Sequence, residues 1–167
     1  MRTDVVKILD VLFSDLGEDE FVCVSLDAKF NCQVAHRDFQ RWLEDPTLKE
    51  SWFVNLSTVR GIPRSKKLKR TNDQCVRVHA IVLDDIGEAD KSICPRTDVP
   101  VDPTFIIETS PKNYQYFYKI DATDDFQTYN KISQAMADKG LTDPKAVGHN
   151  RLVRLPGSLN AKHNGGI

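Results

Sequence analysis

The chain has 167 residues, 40% of them hydrophobic and 28% charged, with a formal net charge of -1. That length buries a real core in one domain, or in a large domain with a small appendage, and so ordinary a composition excludes a disordered chain or a coiled coil. The near-neutral balance argues against indiscriminate electrostatic binding to nucleic acid, though not against a local basic patch.

Thr3 is placed to cap a helix in which Val5, Ile8, Leu9, Leu12 and Leu16 recur at helical spacing, with Gly17 as its stop. No signal-peptide core precedes it and no apolar run reaches membrane-spanning length, so a soluble, cytoplasmic protein is expected. Phe21 to Leu26 reads as a strand, a polar turn follows around Asn31, and Phe39, Trp42 and Leu43 mark a short helix that ends before Pro46. Trp52 to Val59 is a second strand. From Arg60 to Asp73 a loop containing Gly and Pro gathers Arg60, Arg64, Lys66, Lys67, Lys69 and Arg70 with almost no acid nearby. Two readings stay open for it: a grip on a nucleic-acid backbone or triphosphate that weakens as salt rises, or a solvated loop.

Val76 to Leu83 is strongly β-prone and ends in Asp84-Asp85-Ile86-Gly87. Carboxylates at a strand end suit hard divalent cations, because the strand steadies the backbone while its end opens to solvent. Successive strand residues face opposite sides, however, so an adjacent pair can share a metal only where the strand bends or twists. The alternative is an aspartate pair used only to shape a turn.

Thr104 to Ile107 and Tyr114 to Ile120 are strands joined by a tight turn at Ser110-Pro111-Lys112-Asn113, which predicts a hairpin. Gln115 falls on one face with Phe117, while Tyr114, Tyr116 and Tyr118 alternate onto the other, where packing against a helix is favoured over stacking on bases. A half-buried glutamine needs a partner, which a ligand phosphate, sugar or base can supply, and so can a backbone carbonyl. Phe126, Tyr129, Ile132 and Met136 line one face of a helix begun near Thr123 and stopped by Gly140. Asp143 offers a further carboxylate or simply an Asp-Pro turn, and His149 reads as structural or solvated rather than as a base. Cys23, Cys32, Cys75 and Cys94 show no CxxC spacing and read as reduced and structural, which disfavours a zinc ion shared by Cys75, His79 and Cys94.

The last strand, from Arg151 to Leu155, leads into a Pro156-Gly157 corner followed by Asn160 and Lys162. On a strand Arg151 and Arg154 lean to opposite faces, and Arg154, Asn160 and Lys162 can converge around the bend on one anionic ligand. Guanidinium supplies a planar fork of donors and ammonium a mobile point charge, a combination suited to phosphate. The other reading is a strand, a turn and a solvated tail. Intermixed strands and helices with hairpins in the second half give an α+β sheet with helices packed on one face.

Three segments in this order, Ile81 to Gly87, Glu108 to Gln115 and Arg151 to Lys162, resemble the archaeo-eukaryotic primase superfamily, in its RepB-like and phage primase or primase-polymerase branch. The resemblance covers His79 to Lys162. It implies a primase-type fold: an RRM-like antiparallel catalytic half over residues 75–167, with an N-terminal helix-and-strand unit over 1–74. It also implies Asp84, Asp85 and the late acid Asp143 as catalytic ligands for Mg²⁺ or Mn²⁺. Ser110, Lys112, Asn113 and Gln115 become nucleotide contacts, and Arg151, Arg154, Asn160 and Lys162 contacts to nucleotide phosphate or template, with the basic loop at Arg64, Lys66, Lys67, Lys69 and Arg70 on nucleic acid. The activity expected is template-directed synthesis of primers or DNA from nucleoside triphosphates on single-stranded template in phage or plasmid replication, often beside a helicase on the same or a separate chain. The alternative is a non-catalytic module that binds single-stranded DNA or an origin. Many superfamily members space the first acids as Asp-x-Asp and carry a histidine where this chain has Gln115. The ending at His163 to Ile167, just past the last motif, suggests an excerpt of a longer protein.

Overall fold

The computed structural model describes residues 2–25, 33–36, 52–60 and 71–155, with the backbone alone at 2–4 and 33–36. The helix expected at Phe39 to Leu43, the basic residues from Arg64 to Arg70, and the corner carrying Asn160 and Lys162 lie outside the described residues.

The first helix, α1, spans Arg2–Leu12. It already includes Thr3, which therefore lies inside the helix and not at its cap. Val5, Leu9 and Leu12 are buried as their spacing predicts, and Phe13, one residue past the helix, joins them. Strands β1 (Glu20–Ser25), β2 (Gln33–His36) and β3 (Phe53–Arg60) follow. The sequence pattern does not foretell β2, which pairs with β1 through four residues, from Val22 opposite His36 to Ser25 opposite Gln33. A strand so short carries too little alternation to stand out from a turn.

β4 (Cys75–Gly87), β5 (Phe105–Ser110) and β6 (Asn113–Thr123) come next, then helix α2 (Phe126–Asp138) and a short strand β7 (Leu152–Arg154). β6 runs on to Thr123, so α2 starts later than the sequence suggests. Asp125 caps it, its carboxylate accepting the Thr128 N–H at 3.0 Å. The predicted apolar face of α2 is shifted: Tyr129, Ser133 and Ala137 are buried, whereas Ile132 is 43% exposed. Tyr129, Ser133, Met136 and Ala137 make the contacting stripe, and Ile132 sits on its rim.

Among the described residues seven strands form one sheet in the order β2-β1-β3-β4-β6-β5, with β7 paired to β3, and every pair is antiparallel. The main core joins Leu9, Leu12 and Phe13 to Val22, Val24, Val54, Leu56, Val78, Val82 and Phe117. Each such side chain contributes roughly 1.5–3 kcal/mol. A second cluster sets Leu83, Ile86 and Tyr116 with Tyr114 and Tyr118 against Met136 and Leu141, so the tyrosine row packs toward the segment of α2 as its alternation predicts.

One departure from a regular sheet positions the site. β3 and β4 pair at Val59 with Cys75 and at Ser57 with Val78, but the start of β3 pairs with β7, Phe53 to Asn55 standing opposite Arg154 to Leu152. β4 thus leaves β3 after Val78, and β7 takes the place beside β3 that it vacates. Arg151, just before β7, and Arg154, its last residue, are thereby carried to the far end of β4.

Candidate active site

β4 does not run out at Leu83. Leu83 stands opposite Tyr116 and Ile86 opposite Tyr114, so three steps on β4 match two on β6 and one extra residue is inserted at Asp84-Asp85. This is a β-bulge, which bends the strand and re-aims a side chain. Asp85 has φ 57, a left-handed conformation that costs a non-glycine residue about 1 kcal/mol. Two residues on, Gly87 has φ +140, and a Cβ there would collide with the Lys112 carbonyl oxygen, so this close approach of strand to hairpin needs glycine. The adjacent aspartates therefore lie in the kind of strand irregularity that their sharing of a site requires.

The bulge is pinned from several directions. The Asp84 N–H donates to Thr142 Oγ1 at 2.8 Å, Asp84 Oδ1 accepts the Asp85 N–H at 2.9 Å, and Asp84 Oδ2 accepts from Arg151 Nη2 at 2.7 Å. Asp85 Oδ1 accepts from Asn113 Nδ2 at 2.9 Å, with the exposed Lys91 ammonium 3.8 Å away. Burial pushes the Asp84 carboxyl above its usual range; the Arg151 charge opposes this, the Asp85 charge adds to it, and a hydrogen bond from Gln115 pulls the other way. Burial likewise pulls Arg151 down, against the attraction of Asp84, Tyr129, Asp143 and Asp85, but a guanidinium stays charged. Two buried polar atoms here have no hydrogen-bond partner, Arg151 Nη1 and Gln115 Oε1. An unsatisfied donor on a side chain only 11% exposed is costly unless a ligand or water completes it.

The other residues singled out in the sequence are distributed around this centre. Arg154 stacks over Phe53 at 5.1 Å, and burial pulls its guanidinium down against the attraction of the Asp84 charge. Asp143 accepts the Lys145 N–H at 2.9 Å, shaping the turn at Pro144–Ala146, while its charge reaches Arg151. Ser110 is 4% exposed and Asn113 wholly buried, whereas Lys112 projects at the hairpin turn with φ 62. His149 is buried, stacked on Phe126 at 4.2 Å, with its N–H donating to Asn130 Oδ1 at 2.9 Å. Cys75 and Cys94 direct their thiols at the Thr71 and Pro95 carbonyls, and His79 sits between Asp15 and Thr58. Thr142, Lys91 and Ser92 carry no signal in the sequence, because each is an ordinary polar residue in a loop until the fold sets it against the bulge.

Among the described residues no group of three or more His, Cys, Asp or Glu side chains is placed to hold a metal ion. Asp84 and Asp85 make a two-carboxylate set. That set, with the unpartnered Gln115 Oε1 nearby, fits a hard cation that takes its remaining ligands from water and from substrate phosphates, as Mg²⁺ commonly does, and not a closed protein cage.

The antiparallel sheet, with its carboxylate-bearing bulge on β4 and β7 paired to β3, is an α+β domain of primase-like fold. Residues 39–166 match the RepB DNA-primase N-terminal domain, and the chain belongs to that family. Its fold is similar to the AEP domain of the cyanophage S-2L primase-polymerase, with a TM-score of 0.65 and 13% identity over 99% of this chain and 87% of that one. It is also similar to the catalytic domain of primase RepB' in complex with initiator DNA, with a TM-score of 0.58 and 20% identity over 97% and 79% of the two chains. A further structure of primase RepB' matches with a TM-score of 0.55 and 19% identity, this chain spanning 52% of it. No curated protein matches the sequence.

Proposed function

We propose that the chain is a primase or primase-polymerase, a metal-dependent nucleotidyltransferase that extends primers or DNA from nucleoside triphosphates on single-stranded template in phage or plasmid replication. The observation that carries this reading is the meeting of the Asp84-Asp85 bulge with Arg151, a charged fork that spends one nitrogen on Asp84 and keeps a buried Nη1 unpartnered. Asp84 and Asp85 would hold Mg²⁺ or Mn²⁺, which when bound lowers the charge on the triphosphate and favours attack at the α-phosphorus. Asp143 stands as the late acid beside Arg151. Arg151 and Arg154, with Asn160 and Lys162 beyond the described residues, receive the phosphates and stabilise the charge that develops on pyrophosphate. Ser110, Lys112 and Gln115 line the approach of the incoming nucleotide, and Gln115 brings an unused acceptor to it. Template would run along the basic loop from Arg64 to Arg70, with a helicase as partner.

One observation favours a second reading, a non-catalytic single-stranded DNA or origin-binding module: Asp84 is already neutralised by Arg151 at 2.7 Å. The test supplies Mg²⁺ or Mn²⁺, single-stranded template and labelled nucleotides. Primer synthesis predicts products that vanish in Asp84→Ala and in Asp85→Ala. The binding module predicts no product at any metal concentration, DNA affinity untouched by those changes, and affinity lost on replacing Arg64 to Arg70.

A further inference from the structure

Asn113 lies at the start of β6, in the turn that the sequence associates with nucleotide contact, yet its side chain is completely buried. Both amide donors and the amide oxygen are engaged inside the protein. Nδ2 donates to Asp85 Oδ1 at 2.9 Å and to Thr109 Oγ1 at 3.1 Å, and Oδ1 accepts the Ser92 hydroxyl at 2.9 Å. The amide orientation follows from the network: the Asp85 carboxylate only accepts, so Nδ2 faces it, and the Thr109 hydroxyl, which donates to the Asn113 backbone carbonyl at 3.2 Å, accepts from the same nitrogen. Ser92 is fixed in turn, its oxygen accepting the Ala89 N–H at 3.1 Å.

These bonds converge on one residue in an unusual conformation. Asp85 has φ 57, and its carbonyl accepts the Ile93 N–H at 2.7 Å. The next contact along the same segment joins the Gly87 N–H to the Cys94 carbonyl at 2.9 Å. Asn113 thus holds the Asp85 carboxylate directly, and through Ser92 it holds the segment that closes on the Asp85 backbone. A neutral amide is well suited here, since it donates to a carboxylate without adding a charge that would compete with a cation there.

We infer that Asn113 is a positioning residue: with Thr109 and Ser92 it locks Asp85 in the left-handed arm of the bulge and aims its carboxylate to the side on which Asp84 works. The inference rests on the proposed metal-dependent activity for its consequence, and on geometry alone for its mechanism. It turns two adjacent aspartates, which a regular strand would separate, into a pair set by the neighbouring strand β6.

The test uses Asn113→Ala and the milder Ser92→Ala, both checked by circular dichroism for native secondary structure. Amide hydrogen exchange is read first and needs no activity. Exchange at Ile93 and Gly87 should accelerate at least about tenfold in Asn113→Ala and less in Ser92→Ala, while core amides such as Val82 keep native protection. Mn²⁺ affinity by electron paramagnetic resonance and the kcat of primer synthesis should each fall roughly 10–100-fold in Asn113→Ala, with KM for nucleotide little changed. Native exchange at Ile93 and Gly87 in both variants overturns the inference. Accelerated exchange in a protein that neither binds Mn²⁺ nor makes product upholds the positioning role and removes the enzyme reading instead.

Discussion

β4 carries a partly buried arginine–carboxylate pair near each end, and the two are finished differently. At the N-terminal end Arg77 grips Glu20 with two bonds, Nε to Oε1 at 2.6 Å and Nη2 to Oε2 at 2.7 Å, while Nη2 also reaches the Asp15 carbonyl at 2.6 Å and Nη1 lies 3.5 Å from the Asp15 carboxylate. Every nitrogen of that guanidinium is engaged. At the other end Arg151 makes one bond to Asp84 and leaves a buried Nη1 without a partner. The carboxylates differ accordingly. Burial would raise Glu20, but the Arg77 hydrogen bond and the Gly17 N–H outweigh it and hold the carboxyl below its usual range; at Asp84 burial wins and the carboxyl is raised. A saturated pair fastens the strand to the segment after α1, whereas an unsaturated one retains capacity for a ligand.

The contrast breaks most visibly if the Arg77 pair proves dispensable. Arg77→Ala leaves Glu20 buried with only the Gly17 N–H to hold its charge, and it is expected to lower unfolding free energy by roughly 3 kcal/mol in urea titration. A loss below about 1 kcal/mol would show that the network merely decorates the surface.

Acid tests the same end by a second route. His79 is fully buried beside Phe13, with Nδ1 3.2 Å from Asp15 Oδ1 and Nε2 3.3 Å from Thr58 Oγ1, and burial pulls its pKa from 6.5 down to about 4 despite the Asp15 charge. Because the folded pKa lies below the unfolded one, the unfolded chain binds more protons between those values, and stability falls as pH drops from 6.5 toward 4. The slope should approach about 1.4 kcal/mol per pH unit, for a total of about 3 kcal/mol. Denaturant midpoints of His79→Gln should lose most of that slope. Glu20 extends the decline further into acid, since a carboxyl held below its usual range contributes stability that disappears as pH falls through that lowered value.

At the site end, Arg151→Ala should cost less stability, about 1–2 kcal/mol, because Asp84 can take up a proton when its counter-charge is gone. On the proposed activity its larger effect is on chemistry: product formation should drop roughly 100-fold or more. Equal stability losses for Arg77→Ala and Arg151→Ala would erase the distinction between the two pairs. The smallest expected effect lies between the ends, where the Tyr129 hydroxyl donates to the Ala80 carbonyl at 3.0 Å. Tyr129→Phe should lower stability by about 1 kcal/mol and leave product formation intact.

Much of this architecture is legible in local pattern. The spacing of Val5, Leu9 and Leu12, the apolar run of β4, and the alternation of Tyr114, Tyr116 and Tyr118 against Gln115 and Phe117 each need only a few neighbouring residues to be read. The proximity of Arg151 to the aspartates is legible only through the resemblance of whole segments. The bulge is not legible, because a bulge is a mismatch of register and exists only relative to a partner strand. The Arg77 network is equally hidden, although an arginine and a histidine inside the apolar run Cys75 to Ala80 signal that buried partners have to be found.

By itself, then, the sequence determined the elements and their inward faces, since periodicity and turn chemistry act over a handful of residues, and it placed two carboxylates late on one strand and arginines on another. The tertiary structure decided which partners those charges meet. The departure of β4 from β3 lets β7 in, sequence separations of 57 and 67 residues are closed by the two arginine pairs, and a one-residue slip against β6 turns Asp85 toward Asn113. Long-range register is fixed by the summed packing of the whole sheet, which no short stretch of chain encodes alone.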